Sequence, residues 1–325
     1  MILISSILFI SILSIFGCKV YNFLSGRSLF LDAIDRYKLS KFTLTSASQY
    51  WQNNTNQSNI IICLTSIPSR INHLESTLIS LLTQKVAPKI IRLHIPDYSK
   101  REKIEYTIPQ QFVNLSGIKI VRCDDHGPAT KFIPAIEELP ETQPILIVDD
   151  DYLYPPNLVS RYDLLHLENP DIIIGSSGWL VPTDLTDKPT TLWSNIKSIP
   201  PTPILCTRLK KNIQIDIIQG FSGYLIQPRF FDLSQLKDYQ NVPKNVFFVD
   251  DVWISAHAKV SKWVFPEKRF CFDTLTDNNL YKYSSLGKIN NGNGNNENRN
   301  NTIAIRYFKN KWLLSQKKTT SPFLK

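Results

Sequence analysis

Ile145-Leu146-Ile147-Val148-Asp149-Asp150-Asp151 is a run of four aliphatic residues that stops on three carboxylates. A short unbroken apolar run is the pattern of a strand covered on both faces. Tyr154-Pro155-Pro156 follows and starts the next helix. Ligands of open α/β sheets bind beyond the carboxyl ends of the strands, where this trio falls. Side chains alternate across a strand, so Asp149 and Asp151 point to one side and Asp150 to the other. Three adjacent carboxylates repel unless a cation or donors compensate. A hard divalent ion suits them, because it takes one or two carboxylates and completes its shell with water and phosphate oxygens. A solvated acidic turn is the bland alternative, and a phosphatase or nucleotidyltransferase could carry the same trio.

Outward from this strand, apolar runs and helical spacings alternate. Ile60 to Leu64, Ile90 to Ile95, Ile118 to Val121 and Ile172 to Ile174 read as strands. Ile71, Leu74, Leu78, Leu81 and Leu82 recur at helical spacing, and a second helix is expected from about Ala129 to Glu138. This alternation predicts an α/β fold with a mostly parallel, doubly wound sheet flanked by helices. Further on, Gln219 to Ile226 reads as a loop entering a strand, and Asp250 to Ala258 as the start of a helix.

Three more clusters could carry chemistry. Asp250-Asp251 lies between Phe247-Phe248-Val249 and Val252-Trp253. Burial there would raise a carboxylate pKa and favour base behaviour, whereas a plain helix cap would use the same residues. Asp124-Asp125-His126-Gly127-Pro128-Ala129-Thr130-Lys131 turns sharply into a helix whose N-terminus could receive a phosphate, with Lys131 adding positive charge; alone it is only a turn. Ser66-Ile67-Pro68-Ser69-Arg70 is either a helix entry or a nucleotide-contacting loop. His126 and His257 are candidate ligands. Trp179, Trp193, Phe221 and Tyr224 could form a sugar platform, with core packing as the default for each.

The chain has 325 residues, 42% of them hydrophobic, which supports a substantial core and excludes global disorder. Its formal charge is +9, but six of the cations (Arg306, Lys309, Lys311, Lys317, Lys318 and Lys325) follow Thr302 with no acid among them. Such a tail reads as solvated, and no nucleic-acid motif accompanies it. The five cysteines are far apart with no CxxC pair, which argues against a zinc site. Ile2 to Cys18 holds no charged side chain and is near the short limit for a spanning helix. Residues 1–25 are therefore expected to be a transmembrane anchor or signal segment. Lys19, Arg27 and Arg36 place the bulk of the chain on the cytosolic side, whereas sequons at Asn53, Asn56 and Asn114 point the other way, so the side stays open. The expected organisation continues with a stem or linker over 26–58, the main domain over 59–289, an Asn-rich flexible linker over 290–302 and a basic C-terminal tail over 303–325.

Taken together, the motifs from about Asn59 to Lys262 resemble the GT-A nucleotide-diphospho-sugar transferases, especially the family-2-like inverting enzymes. Leu64 to Arg70 is similar to the family's first strand and nucleotide loop, and Asp125 to Lys131 to the segment before its metal strand. Val148-Asp149-Asp150-Asp151 resembles the DxD motif, Gln219 to Gly223 the acceptor-side glycine loop, and Val249-Asp250-Asp251 the motif carrying the base. Their order is more specific than any one of them. The resemblance implies a GT-A (Rossmann-like) fold and a metal-dependent, inverting transfer of a sugar from a nucleotide-diphosphate sugar to a glycan, lipid or protein hydroxyl. Mn²⁺ or Mg²⁺ would be held by Asp149 and Asp151. Thr65, Arg70, Asp125, Lys131, Asp149 and Asp150 would bind the donor. Asp251 would act as base, with Asp250 orienting it or contacting the acceptor. One departure is that many such enzymes add a C-terminal histidine to the metal, and no histidine follows His257 here. A catalytically silent protein of the same fold is the second reading. A sugar-1-phosphate nucleotidyltransferase ranks last, because Ser66 to Arg70 lacks the glycine-rich basic loop that chemistry needs.

Overall fold

A computed structural model describes residues 2–274 and 286–313. Eight strands form the central sheet: β1 (Ile61–Thr65), β2 (Ile90–Pro96), β3 (Ile118–Cys123), β4 (Ile145–Ile147), β5 (Ile173–Gly175), β6 (Ile213–Ile215), β7 (Tyr224–Ile226) and β8 (Lys262–Val264). Their spatial order is β6-β8-β5-β7-β4-β1-β2-β3. The half β3-β2-β1-β4 is wholly parallel, as is β5 with β8. By contrast, β7 runs antiparallel to both β4 and β5, and β6 antiparallel to β8. The sheet is thus mixed but mostly parallel, as the alternating pattern predicts. Ile145, Leu146 and Ile147 are all fully buried, because β4 lies between β1 and β7 with both faces covered.

The strand order has a consequence for function. From β1 the chain moves outward to β2 and β3, then returns to add β4 on the other side of β1. The connections after β1 and β4 diverge, leaving a crevice between their carboxyl ends. The register Ile61↔Ile145 to Cys63↔Ile147 brings Thr65-Ser66 and Asp149 to the same edge of it.

The expected helix with Ile71, Leu74 and Leu78 forms as a short 3₁₀ turn, Ile71–His73, followed by an α-helix, Glu75–Leu82. That expected from Ala129 likewise splits into 3₁₀ turn Gly127–Lys131 and helix Ile133–Glu138, with Pro134 in its first turn.

Two segments differ from the sequence reading. Residues 26–58, expected as a stem or linker, hold two helices, Leu29–Leu39 and Leu44–Asn53, that pack on the helix Glu75–Leu82. The second is closed at its start by a reciprocal cap between Thr43 and Ser46. Its Leu44, Ala47 and Ser48 are buried, Ser48 Oγ donates to the Ser116 carbonyl (2.9 Å), and Trp51 Nε1 donates to the Pro88 carbonyl (2.9 Å). Positions 44, 47, 48 and 51 form one helix face, which is why the segment docks.

The Asn-rich stretch 290–302 is the second such segment. It is folded against the domain as hydrogen-bonded turns leading into the helix Asn300–Tyr307. Asn290 Nδ2 donates to the Phe248 carbonyl (3.2 Å), and Asn300 Nδ2 donates to Asn290 Oδ1 (2.7 Å). Asn291 and Asn295 side chains accept backbone N–H groups two residues on, so they build turns rather than solvate a linker. Part of the expected tail is also packed: Ala304 and Ile305 are fully buried and Trp312 is 7% exposed. Lys317, Lys318 and Lys325 lie outside the described residues.

The N-terminal segment forms a helix, Ile2–Ser25. Among the described residues, no helix is long and apolar enough to cross a membrane, so the expected transmembrane anchor is not borne out.

Candidate active site

The crevice beyond β1 and β4 is a cavity of about 340 Å³. Its floor is the aspartate trio. Asp150 is turned inward and 4% exposed, accepting from Ser66 Oγ (2.6 Å) and pairing with Arg70 Nη2 (3.0 Å). Asp151 stands on the cavity side and pairs with Arg70 Nη1 at 3.2 Å. Arg70 thus clamps the two acids from the first loop. That loop is itself pinned: the Tyr106 hydroxyl donates to the Ser66 carbonyl (2.9 Å), and the Ser69 N–H donates to Glu102 (2.9 Å). Thr65 Oγ1 donates to the His94 carbonyl (2.7 Å), locking the end of β1 to β2.

Asp149 belongs to a separate network. Lys131 Nζ lies 2.6 Å from Asp149 Oδ1 and 2.8 Å from Asp250 Oδ2. One ammonium therefore bridges two acids about a hundred residues apart in the chain. Burial pulls the Lys131 pKa down, but the carboxylates of Asp149 and Asp250 outweigh it and hold the group charged. The Tyr154 hydroxyl accepts from the Asp149 N–H (2.9 Å) and donates toward the carbonyls of Asp149 and Phe221, each at 3.2 Å. This ties the end of β4 to the loop before β7.

Across the cavity, Asp250 and Asp251 open the helix Asp250–His257, where carboxylates are favoured by the helix dipole. Asp251 Oδ1 accepts from the Gly220 N–H at 3.0 Å. Gly220 is the meeting point of the site: a Cβ built there would lie 2.6 Å from Lys131 Nζ and 3.3 Å from both Asp149 Oδ1 and Asp251 Oδ1. A side chain there would have to displace the Lys131 ammonium.

Burial raises three of the acids of this cavity. Asp151 is pushed up to about 7 by burial and by Asp150. Asp150 rises through burial in spite of Arg70 and Ser66, and Asp251 rises well above the carboxylate range through burial and Asp250. Burial is the largest cause for each, and a surplus of negative charge adds to it. Among the described residues, the cavity is lined by Asp125, Asp149, Asp150, Asp151, Asp250 and Asp251 against Arg70, Arg101 and Lys131.

Asp125 also reaches the cavity, held by the backbone N–H groups of Lys100 and Gly127, both at 2.6 Å. Gly127 adopts φ +62° with the Phe247 ring against it, which a side chain would not tolerate. All the site residues expected from sequence (Thr65, Arg70, Asp125, Lys131, Asp149, Asp150, Asp151, Asp250 and Asp251) line this one cavity.

Other candidates do not. The His257 ring packs against Trp253 and Phe308, with Nδ1 on the Trp253 carbonyl (2.8 Å), so it cannot supply the missing metal ligand. His126 is not among the lining residues. Of the aromatic candidates only Phe221 lines the cavity; Trp179 and Tyr224 are core residues, and Trp193 is exposed elsewhere. Sequence reasoning overlooked Tyr152, whose ring lies 5.4 Å from that of Phe221, and Asn290 and Asn301 at the rim. Tyr152 follows the trio directly, a proximity that could have flagged it. Nothing local marks the two asparagines.

Among the described residues, no three His, Cys, Asp or Glu side chains converge as a closed metal cage. The donor set does fit an open site for a hard divalent ion, with Asp149 and Asp151, each between a quarter and a third exposed, as oxygen ligands. The surplus of acids points the same way, since a cation bound there would offset the repulsion among the carboxylates.

No family model matches the chain, and no curated protein matches it. Several solved structures are similar in fold. S. aureus TarS 1–349 is 13% identical, with a TM-score of 0.39 over 66% of this chain and 60% of that one. The mannosyltransferase PcManGT from Pyrobaculum calidifontis, in complex with GDP-Man and Mn²⁺, is 10% identical, with a TM-score of 0.35 over 73% and 65%. GalNAc-T7 with UDP, GalNAc and Mn²⁺ is 12% identical, with a TM-score of 0.38 over 71% and 48%. The chain thus spans between about half and two thirds of these proteins.

Proposed function

We propose that the chain is a metal-dependent, inverting glycosyltransferase that moves a sugar from a nucleotide-diphosphate sugar to an acceptor hydroxyl. The observation that carries this reading is the pairing of two acid groups across one crevice at the switch point of the sheet. Asp149 and Asp151 lie on the strand side, Asp250 and Asp251 on the helix side, and Lys131 bridges them.

Asp149 and Asp151 would hold Mn²⁺ or Mg²⁺, which supplies neutralisation of charge on the departing diphosphate. Arg70 and Lys131 orient these carboxylates and add fixed positive charge. Asp251, which accepts from the Gly220 N–H in the cavity, would take the proton of the acceptor hydroxyl. As the acceptor oxygen bonds to the anomeric carbon, the bond from that carbon to the diphosphate oxygen breaks, and the nucleoside diphosphate leaves with the electron pair. Asp250, paired with Lys131, keeps the ammonium in place. Thr65, Asp125 and the pinned loop after β1 would receive the nucleotide, and Phe221 with Tyr152 offers an apolar face for the sugar.

The test is release of UDP or GDP by purified protein from a panel of nucleotide sugars, with and without Mn²⁺. Turnover that needs metal and falls at least about a thousandfold in Asp251→Asn is expected, the scale of a lost general base and its coupled interactions. Absence of turnover with every donor and acceptor would sink the proposal. A catalytically silent binding protein is the second reading, favoured because Arg70 and Lys131 already engage the acids. Metal-dependent nucleotide binding that is the same in Asp251→Asn, with no turnover in either, would establish it.

A further inference from the structure

The stretch from Lys188 to Ile215 holds five cations (Lys188, Lys197, Arg208, Lys210 and Lys211) and not one acid. It includes a six-residue helix, Leu192–Lys197, closed at its start by a reciprocal cap between Thr191 and Ser194. None of the helix's residues is buried. Leu192 is 61% exposed, Trp193 60%, Ile196 51% and, just beyond the helix, Ile199 43%. Single exposed apolar residues are ordinary on protein surfaces, but four within eight positions make a patch. Leu192, Trp193 and Ile196 share one helix face, and Lys197 Nζ lies 4.2 Å from the centre of the Trp193 ring.

This patch adjoins a second one. Arg208 Nη1 donates to Asn195 Oδ1 of the short helix (3.0 Å), while its Nη2 donates to the Leu24 carbonyl at the end of the N-terminal helix. Its guanidinium lies 5.2 Å from the Phe23 ring, and Thr207 Oγ1 donates to the Gly26 carbonyl (2.9 Å). The N-terminal helix carries Phe9, Leu13, Phe16 and Phe23 at 50% exposure or more. Arg208 thus links the exposed apolar short helix to the end of the exposed apolar N-terminal helix.

We propose that this joint face docks on an anionic lipid bilayer, with the helix Leu192–Lys197 lying in the interface and Trp193 at headgroup level. A tryptophan with aliphatic neighbours and a lysine beside its ring is the chemistry of an interfacial helix, and Lys197 and Arg208 at the patch complement acidic headgroups. A second copy of the chain is the poorer occupant: a two-fold contact sets a patch against itself, and these cations would face their own copies. None of the face's residues lines the catalytic cavity, so the inference stands apart from the transferase reading.

The experiment uses the full chain with vesicles of phosphatidylcholine, or of phosphatidylcholine with phosphatidylglycerol, carrying brominated acyl chains. Quenching of tryptophan fluorescence on the mixed vesicles should be clearly smaller in Trp193→Phe than in the wild type. Partition of the double variant Leu192→Ser, Ile196→Ser should fall about tenfold or more, from the apolar area withdrawn. Circular dichroism and thermal melting of the variants check folding. Equal quenching in wild type and Trp193→Phe would overturn the proposal, even if the N-terminal helix alone binds the vesicles. A dimer in solution that the double variant dissociates would overturn it in favour of a second copy.

Discussion

At the scale of single residues, Gly220 and Lys131 decide how the two acid groups meet. A methyl at position 220 would sit 2.6 Å from an ammonium already held by Asp149 and Asp250. Gly220→Ala is therefore expected to displace Lys131 and cut turnover about a hundredfold, the usual result of shifting reacting groups by about an ångström. Its melting temperature should fall less than that of Lys131→Met, which removes the ammonium outright, so a melt beside a steady-state assay separates the two effects. Lys131→Met acts differently. It leaves Asp250, 7% exposed, with a buried and unmatched charge, and loss of one partner of such a pair costs about 3–5 kcal/mol. A urea titration should show that loss, and Lys131→Met combined with Asp250→Asn should recover part of it. The acids themselves could be read from the chain, as could their placement at a strand end. That Lys131 serves both groups could not, because nothing local in Asp125 to Lys131 names a partner so far along the chain.

At the scale of elements, β2 carries a buried histidine directly beneath the site. His94 is fully buried. Its Nε2 accepts from Arg92 Nε–H (3.2 Å), and its Nδ1–H faces the Thr130 carbonyl (3.0 Å), so both partners require the neutral ring. Burial, then the Arg92 charge, push its pKa down to about 4. Because the folded-state value lies below the ordinary one, neutral His94 contributes its full stability above about pH 6.5, and this is lost as pH falls toward 4. The unfolding free energy from urea titration should drop between pH 7 and pH 5 in the wild type, by about 2 kcal/mol at most. In His94→Gln that part of the pH dependence should vanish; an unchanged slope would refute the assignment. Strands with unbroken aliphatic runs, such as β1 and β4, were legible because burial on both faces leaves no polar positions. The helices were legible in position but not in form: Gly127 and Pro134 break the expected helix into a 3₁₀ turn and a shorter helix.

At the scale of the whole molecule, the domain begins well before its first strand. A chain starting at residue 59 would lose Leu44, Ala47 and Trp51, and would uncover the core beside Leu78 and Leu82. Such a truncation is expected to be insoluble or to melt far below the full chain, whereas a true stem could be removed without cost. Expression of both forms with a thermal melt decides the point. The same holds at the other end, where Ala304, Ile305 and Trp312 close the core next to Trp253 through Phe308.

Local pattern alone determined the alternation of strands and helices, the three acids at the end of β4 and the acidic pair at the start of a helix. These depend on side-chain periodicity and on repulsion between neighbours, which act over a few residues. Only the tertiary structure decided that β4 returns beside β1 to open the crevice, that Lys131 spans Asp149 and Asp250, and that segments 26–58 and 290–302 pack on the domain rather than link it. Those outcomes depend on contacts between residues far apart in the chain, where the energy of a buried face or ion pair exists only once both halves are brought together.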